Sequence, residues 1–149
     1  MSPSDNCKDL IKQFEGCRLQ AYPDPGTGGA PWTIGYGHTR GVTQGMTCTQ
    51  EQAENWLMED LDKVGMQVTD LLKVPVTQRE FDALCSFAYN AGIGNLAKST
   101  MLKLINECRY SEAAKEFPKW DRAAGKELPG LLRRRKAEED VFEKGIERD

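Results

Sequence analysis

Glu15 and Asp24 are two carboxyl side chains whose settings suit paired acid–base chemistry. Glu15 follows Phe14 at the end of an amphipathic pattern and precedes Gly16. That puts it at a helix C-terminus, where unpaired carbonyls carry partial negative charge and favour a protonated acid. Asp24 sits in Pro23-Asp24-Pro25-Gly26, a polar turn that suits an ionised carboxylate. Two carboxyl groups in unlike settings are what cleavage of a glycosidic bond uses. One gives a proton to the leaving oxygen, and the other activates water or attacks the sugar. The chain holds 23 Asp and Glu residues, so this pairing alone selects little. The run Trp32-Thr33-Ile34-Gly35-Tyr36-Gly37-His38-Thr39 follows, with a hydroxyl at Thr33 and the only histidine at His38.

Local patterns say which elements must position these groups. Cys7, Leu10, Ile11 and Phe14 recur at i, i+3, i+4 and i+7 and predict a helix over 5–14. Ser4 or Asp5 can cap its start and Gly16 its end. Prolines and glycines rule out a long helix from Leu19 to about Val42. Arg18–Tyr22 and Trp32–Tyr36 read as strands of a two- or three-stranded antiparallel sheet, with Asp24-Pro25-Gly26 in the connection. A hairpin alone is marginal and must lean on helices. Thr49-Gln50-Glu51-Gln52 signals a capping box opening the longest helix, over 50–73. Thr77-Gln78-Arg79-Glu80 is a second box, opening a helix that ends at Asn90-Ala91-Gly92. Further helices are expected over 97–108, 111–117 and 129–144. The run Arg133-Arg134-Arg135-Lys136, followed by Glu138, Glu139 and Asp140, reads as a solvated helix face with i,i+4 pairs.

Length and composition narrow the classes. A chain of 149 residues suits a single domain, 1–149, able to bury about 70% of its unfolded surface. A net charge of −3 argues against a general nucleic-acid binder. No apolar run approaches the roughly 20 residues of a membrane span, so no stable membrane insertion is expected. The N-terminus shows no signal peptide, so either the protein folds in the cytoplasm or a leader has been removed. Five scattered cysteines and a single histidine offer no metal-ligand spacing, which leaves free thiols as the main reading and a disulfide formed after export as the other. No metal and no cofactor are expected.

The order and wording of the whole stretch carry more information. Phe14-Glu15-Gly16-Cys17-Arg18-Leu19-Gln20-Ala21-Tyr22-Pro23-Asp24, then Thr33-Ile34-Gly35-Tyr36-Gly37-His38-Thr39, resembles the catalytic region of the phage-type lysozymes, glycoside hydrolase family 24. Eight residues lie between Glu15 and Asp24, as in that family. Phe81–Gly92 resembles its central helix, Ser99-Thr100-Met101-Leu102 its next helix, and Gly130-Leu131 with Arg134, Arg135 and Glu138 its C-terminal motif. The chain departs from the family between Asp24 and Thr33, where eight residues make a longer, Gly-rich tip within Pro25–Pro31.

The resemblance implies an α+β lysozyme-like fold: a small antiparallel β-sheet lobe joined by a long helix to a mainly helical lobe. It implies a muramidase that cleaves the β-1,4 bond between N-acetylmuramic acid and N-acetylglucosamine of peptidoglycan. The implied setting is a monomeric endolysin, held in the host cytoplasm before release and acting on the wall in the periplasm. Glu15 would be the general acid, Asp24 would hold or activate water, and Thr33 would help position it. His38 would be structural, paired with Asp60, and Tyr89 and Asn90 would meet the sugar chain. The rivals are a lytic transglycosylase, which forms an anhydro sugar without water, and a silent peptidoglycan-binding protein.

Overall fold

The computed structural model describes residues 1–24, 27–123 and 126–146, and it divides into two compact units. Lys8–Lys63 form one; Met1–Cys7 with Val64–Asp149 form the other.

The smaller unit carries most of α1 (Asp5–Glu15), strands β1 (Arg18–Tyr22) and β2 (Thr33–Gly35), and the first turns of α2 (Gln50–Leu71). Leu10 and Ile11 of α1 are buried, as their spacing requires. The helix stops because Gly16 takes φ +65°, a conformation that costs a residue with a Cβ about 1–2 kcal/mol. The strands pair antiparallel, with Arg18 opposite Gly35 and Tyr22 opposite Thr33. A third segment joins them: Ala21 N–H donates to the Met46 carbonyl at 2.8 Å and Cys48 N–H to that of Leu19 at 2.9 Å. Ala53, Leu57 and Leu61 of α2 complete the core with Ile34 and Tyr36. Thr49 caps α2, its hydroxyl accepting from Gln52 N–H at 3.1 Å.

The larger unit is helical. Ser4 does not spend its hydroxyl on capping α1; it donates to the Asp82 carboxylate, which also accepts from Ser4 N–H at 3.0 Å. Helix α3 (Gln78–Ala91) opens on the full capping box, with Glu80 N–H on the Thr77 hydroxyl at 3.3 Å and Thr77 N–H on the Glu80 carboxylate at 2.8 Å. It packs along α7 (Pro129–Ile146). The helix expected over 97–108 is instead two, α4 (Ile93–Lys98) and α5 (Thr100–Asn106). Ser99 between them is extended, and its hydroxyl accepts from Leu102 N–H at 3.0 Å, so the chain leaves one helix and caps the next. Helix α6 (Tyr110–Ala114) and a 3₁₀ turn (Phe117–Lys119) follow, then a short hairpin of β3 (Arg122–Ala123) and β4 (Lys126–Glu127) that no sequence pattern announced. Phe117 lies at the centre, its ring centroid 6.0 Å from that of Phe87 and 5.5 Å from that of Phe142.

The basic run on α7 is not a solvated face throughout. Arg133 and Lys136 are exposed, but Arg134, Arg135 and Glu138 are buried. Glu138 lies 3.3 Å from Arg134 Nε and 3.0 Å from Arg135 Nε, and accepts from the Ser86 hydroxyl of α3 at 2.5 Å. The i,i+3 and i,i+4 spacing is as read, but packing against α3 removes these charges from water. Burial pushes the Glu138 carboxyl up, against the opposing pull of Arg135 and Arg134.

All five cysteines are free thiols. Among the described residues, no helix is long and apolar enough to cross a membrane, and no group of His, Cys, Asp or Glu has the arrangement of a metal site.

Candidate active site

Glu15 is the last residue of α1 and is partly exposed. It lies within electrostatic reach of Tyr22 at the end of β1: burial first, then Glu15, push the Tyr22 phenol up, while Arg18 opposes them. The Arg18 guanidinium lies 4.5 Å from the centroid of the Tyr22 ring. Tyr22 also faces Thr33 across the sheet and precedes Asp24 by two residues. It is therefore a common neighbour of the two carboxyl residues and the threonine, a role that its sequence position alone did not signal.

Asp24 is fixed by a turn that closes on itself. Its carboxylate accepts from Thr27 N–H at 3.1 Å, its carbonyl from Gly28 N–H at 2.8 Å, and its own N–H donates to the Gly29 carbonyl at 2.9 Å. Thr27 then ties the tip to the Ala30 carbonyl at 2.8 Å. Much of the extra length is thus taken up between Asp24 and Ala30; Pro25 and Gly26 lie outside the described residues. Thr33 opens β2, and its hydroxyl makes a long contact, 3.4 Å, to the Pro31 carbonyl.

His38 is held on several sides. Its Nδ1 is 2.7 Å from Asp60 Oδ2 of α2, and its ring stacks on Trp56 with centroids 4.5 Å apart and 5° between planes. Its backbone pairs both ways with Ile34 at 2.9 Å. A buried ring held in this way braces β2 and its turn against α2.

Tyr89 and Asn90 belong to the other unit, near the end of α3. Tyr89 is half-buried and Asn90 exposed. Asn90 Oδ1 accepts from the Arg135 guanidinium at 2.5 Å, and that guanidinium lies 4.8 Å from the Phe87 ring centroid. Asn90, Asn95, Trp120, Arg122, Leu131 and Arg135 line a pocket of about 410 Å³. Trp120 and Arg122 had no local signal, because α3, α7 and the β3–β4 hairpin bring them to Asn90.

Comparison with known proteins finds relatives along most of the chain. The phage lysozyme family model matches residues 12–138. The endolysin of Acyrthosiphon pisum secondary endosymbiont phage 1 is 46% identical over 138 residues, covering 90% of this chain and 92% of that protein. The endolysin of Salmonella phage P22 is 41% identical over 147 residues, with 95% and 98% covered. The solved endolysin from Escherichia coli O157:H7 phage FAHEc1 superposes with a TM-score of 0.84 at 39% identity, covering 95% of this chain and 93% of that one. The match of the family model over residues 12–138 and likeness along nearly the whole length lead to one conclusion: the chain belongs to the phage lysozyme family.

Proposed function

We propose that this chain, a glycoside hydrolase of the lysozyme type acting on bacterial peptidoglycan, cleaves the β-1,4 bond between N-acetylmuramic acid and N-acetylglucosamine through Glu15, Asp24 and Thr33. What supports the assignment is their shared neighbour: Tyr22 lies within electrostatic reach of Glu15, pairs with Thr33 and leads into Asp24. Glu15 gives its proton to the glycosidic oxygen as the bond to the anomeric carbon breaks. Asp24 accepts a proton from the attacking water, whose oxygen joins that carbon, and the Thr33 hydroxyl orients the water. Tyr89 and Asn90 contact the sugar chain, and His38 with Asp60 supports β2 without touching substrate. The enzyme is an endolysin and its biological role is lysis of the host wall. It works as a monomer in one catalytic domain, is held in the host cytoplasm before release, and reaches the wall in the periplasm after a separate protein opens the membrane.

Turnover of purified peptidoglycan by wild type and Glu15→Gln tests the reading. A loss of at least about a hundredfold is expected, the lower range for general acid catalysis. Undiminished turnover in the variant overturns it. Mass spectrometry of the products separates the chemistries: hydrolysis adds one water per cut, whereas an anhydro sugar would mark a transglycosylase.

A further inference from the structure

Glu15 occupies an awkward place for a group that must deliver a proton accurately. It is the last residue of α1, with Gly16 directly after it at φ +65°. Helix ends fray, and a following glycine adds freedom. The residues on both sides of Glu15 are nevertheless tied to one node on α2. Three residues before it, Lys12 Nζ lies 2.7 Å from Glu54 Oε2. Two residues after it, the Cys17 thiol donates to Gln50 Oε1 at 3.5 Å. Gln50 and Glu54 stand one turn apart and are joined, Gln50 Nε2 donating to Glu54 Oε1 at 3.1 Å. The buried Tyr36, which follows β2, completes the node. Its hydroxyl donates to Glu54 Oε1 at 3.2 Å and accepts from Gln50 Nε2 at 2.9 Å.

We infer that Lys12, Tyr36, Gln50 and Glu54 form a positioning clamp that sets the Glu15 carboxyl for proton transfer. The inference rests on the reading of Glu15 as the general acid. A single half-exposed Lys–Glu pair contributes about 0–1 kcal/mol and selects no geometry. Here both Glu54 oxygens are occupied, and one of them is held by a tyrosine in the core. Lys12 therefore meets a carboxylate with a fixed direction, and the last turn of α1 inherits that direction. The partners hold each other charged: Lys12 keeps the Glu54 carboxyl below its ordinary range, and Glu54 raises the Lys12 ammonium. Small misplacements of a reacting group cost far more in rate than the contacts that prevent them contribute to stability.

The test measures kcat and KM on soluble peptidoglycan fragments for Glu54→Gln, Lys12→Met and Tyr36→Phe, alone and in the Glu15→Gln background, with thermal melts alongside. The expected result is kcat lower by about tenfold, KM within about twofold and little change in melting. Glu54→Gln and Lys12→Met together should cost no more than either alone, because both break one clamp. In the Glu15→Gln background, Glu54→Gln should leave the residual rate unchanged. Should Glu54→Gln fold poorly, Tyr36→Phe removes only a hydroxyl and carries the same expectation. An unchanged kcat in well-folded variants overturns the clamp, as does an equal further loss without Glu15. A fully active Glu15→Gln enzyme would instead overturn the acid assignment on which the clamp rests.

Discussion

Removing the Glu138 carboxylate should be among the most damaging single changes in the larger unit. Glu138 and Arg135 are fully buried and Arg134 is 3% exposed. The carboxylate lies 3.0 Å and 3.3 Å from the two guanidiniums, and the Ser86 hydroxyl adds a bond at 2.5 Å. Glu138→Leu removes the buried carboxylate that both guanidiniums share and leaves the hydroxyl without its acceptor. Breaking a buried ion pair from one side costs about 3–5 kcal/mol. For a chain of this size each kcal/mol moves the melting temperature by roughly 2–4 °C, so a fall on the order of 10 °C is expected. Calorimetry at neutral pH reads it directly. A companion variant, with Arg134→Met and Arg135→Leu added, removes the buried cations and should recover most of the loss, as apolar replacement of a buried ion cluster often does. A fall below about 3 °C for Glu138→Leu would refute the argument that these charges are dry and mutually dependent, and so would a triple variant less stable than the single one.

Two further outcomes follow from the sheet unit. Gly35 has φ +65°, and a Cβ there would lie 3.3 Å from the Cβ and 3.4 Å from the Cα of Ala53 on α2; Gly35→Ala should cost about 2–4 kcal/mol in urea unfolding, from backbone strain plus overpacking. The Lys12–Glu54 pair should show a defined pH dependence. Its folded carboxyl is depressed, chiefly by the bond to Lys12, so its contribution is present above the unfolded carboxylate value and lost as pH falls through the folded one. The stability difference between wild type and Glu54→Gln should therefore shrink between about pH 6 and about pH 3; the same pair faces Tyr36, Gln50 and Asp9, none of them a competing cation.

Short-range features were legible in the residues themselves. The apolar spacing of Cys7, Leu10 and Ile11 returned as the buried face of α1, and Thr77 with Glu80 formed the capping box that their types and separation specify. Strand β2 appeared within the β-branched and aromatic run Trp32–Tyr36, and β1 over its expected partner Arg18–Tyr22. Each depends on contacts within a few residues, which a linear pattern encodes. Glu15, Asp24 and Thr33 stood out as candidates because their order and wording match a family, not because acid–base chemistry was visible in 23 carboxyl residues.

Tertiary structure decided what depends on neighbours distant in sequence. The α7 charge run has the same i,i+4 spacing whether wet or dry; only α3, bringing Ser86 to Glu138, made part of it a buried cluster. Ser99 sits in a pattern that reads as one helix, and its hydroxyl on Leu102 N–H split it in two. The ties from Lys12, Tyr36 and Cys17 to Gln50 and Glu54 join three elements, and nothing local announces which of many polar side chains will meet. The sequence alone determined which groups could react and on what kind of element each stands. Folding decided which charges left water and which neighbours hold each candidate group, because burial and long-range hydrogen bonding are properties of packed surfaces and not of segments.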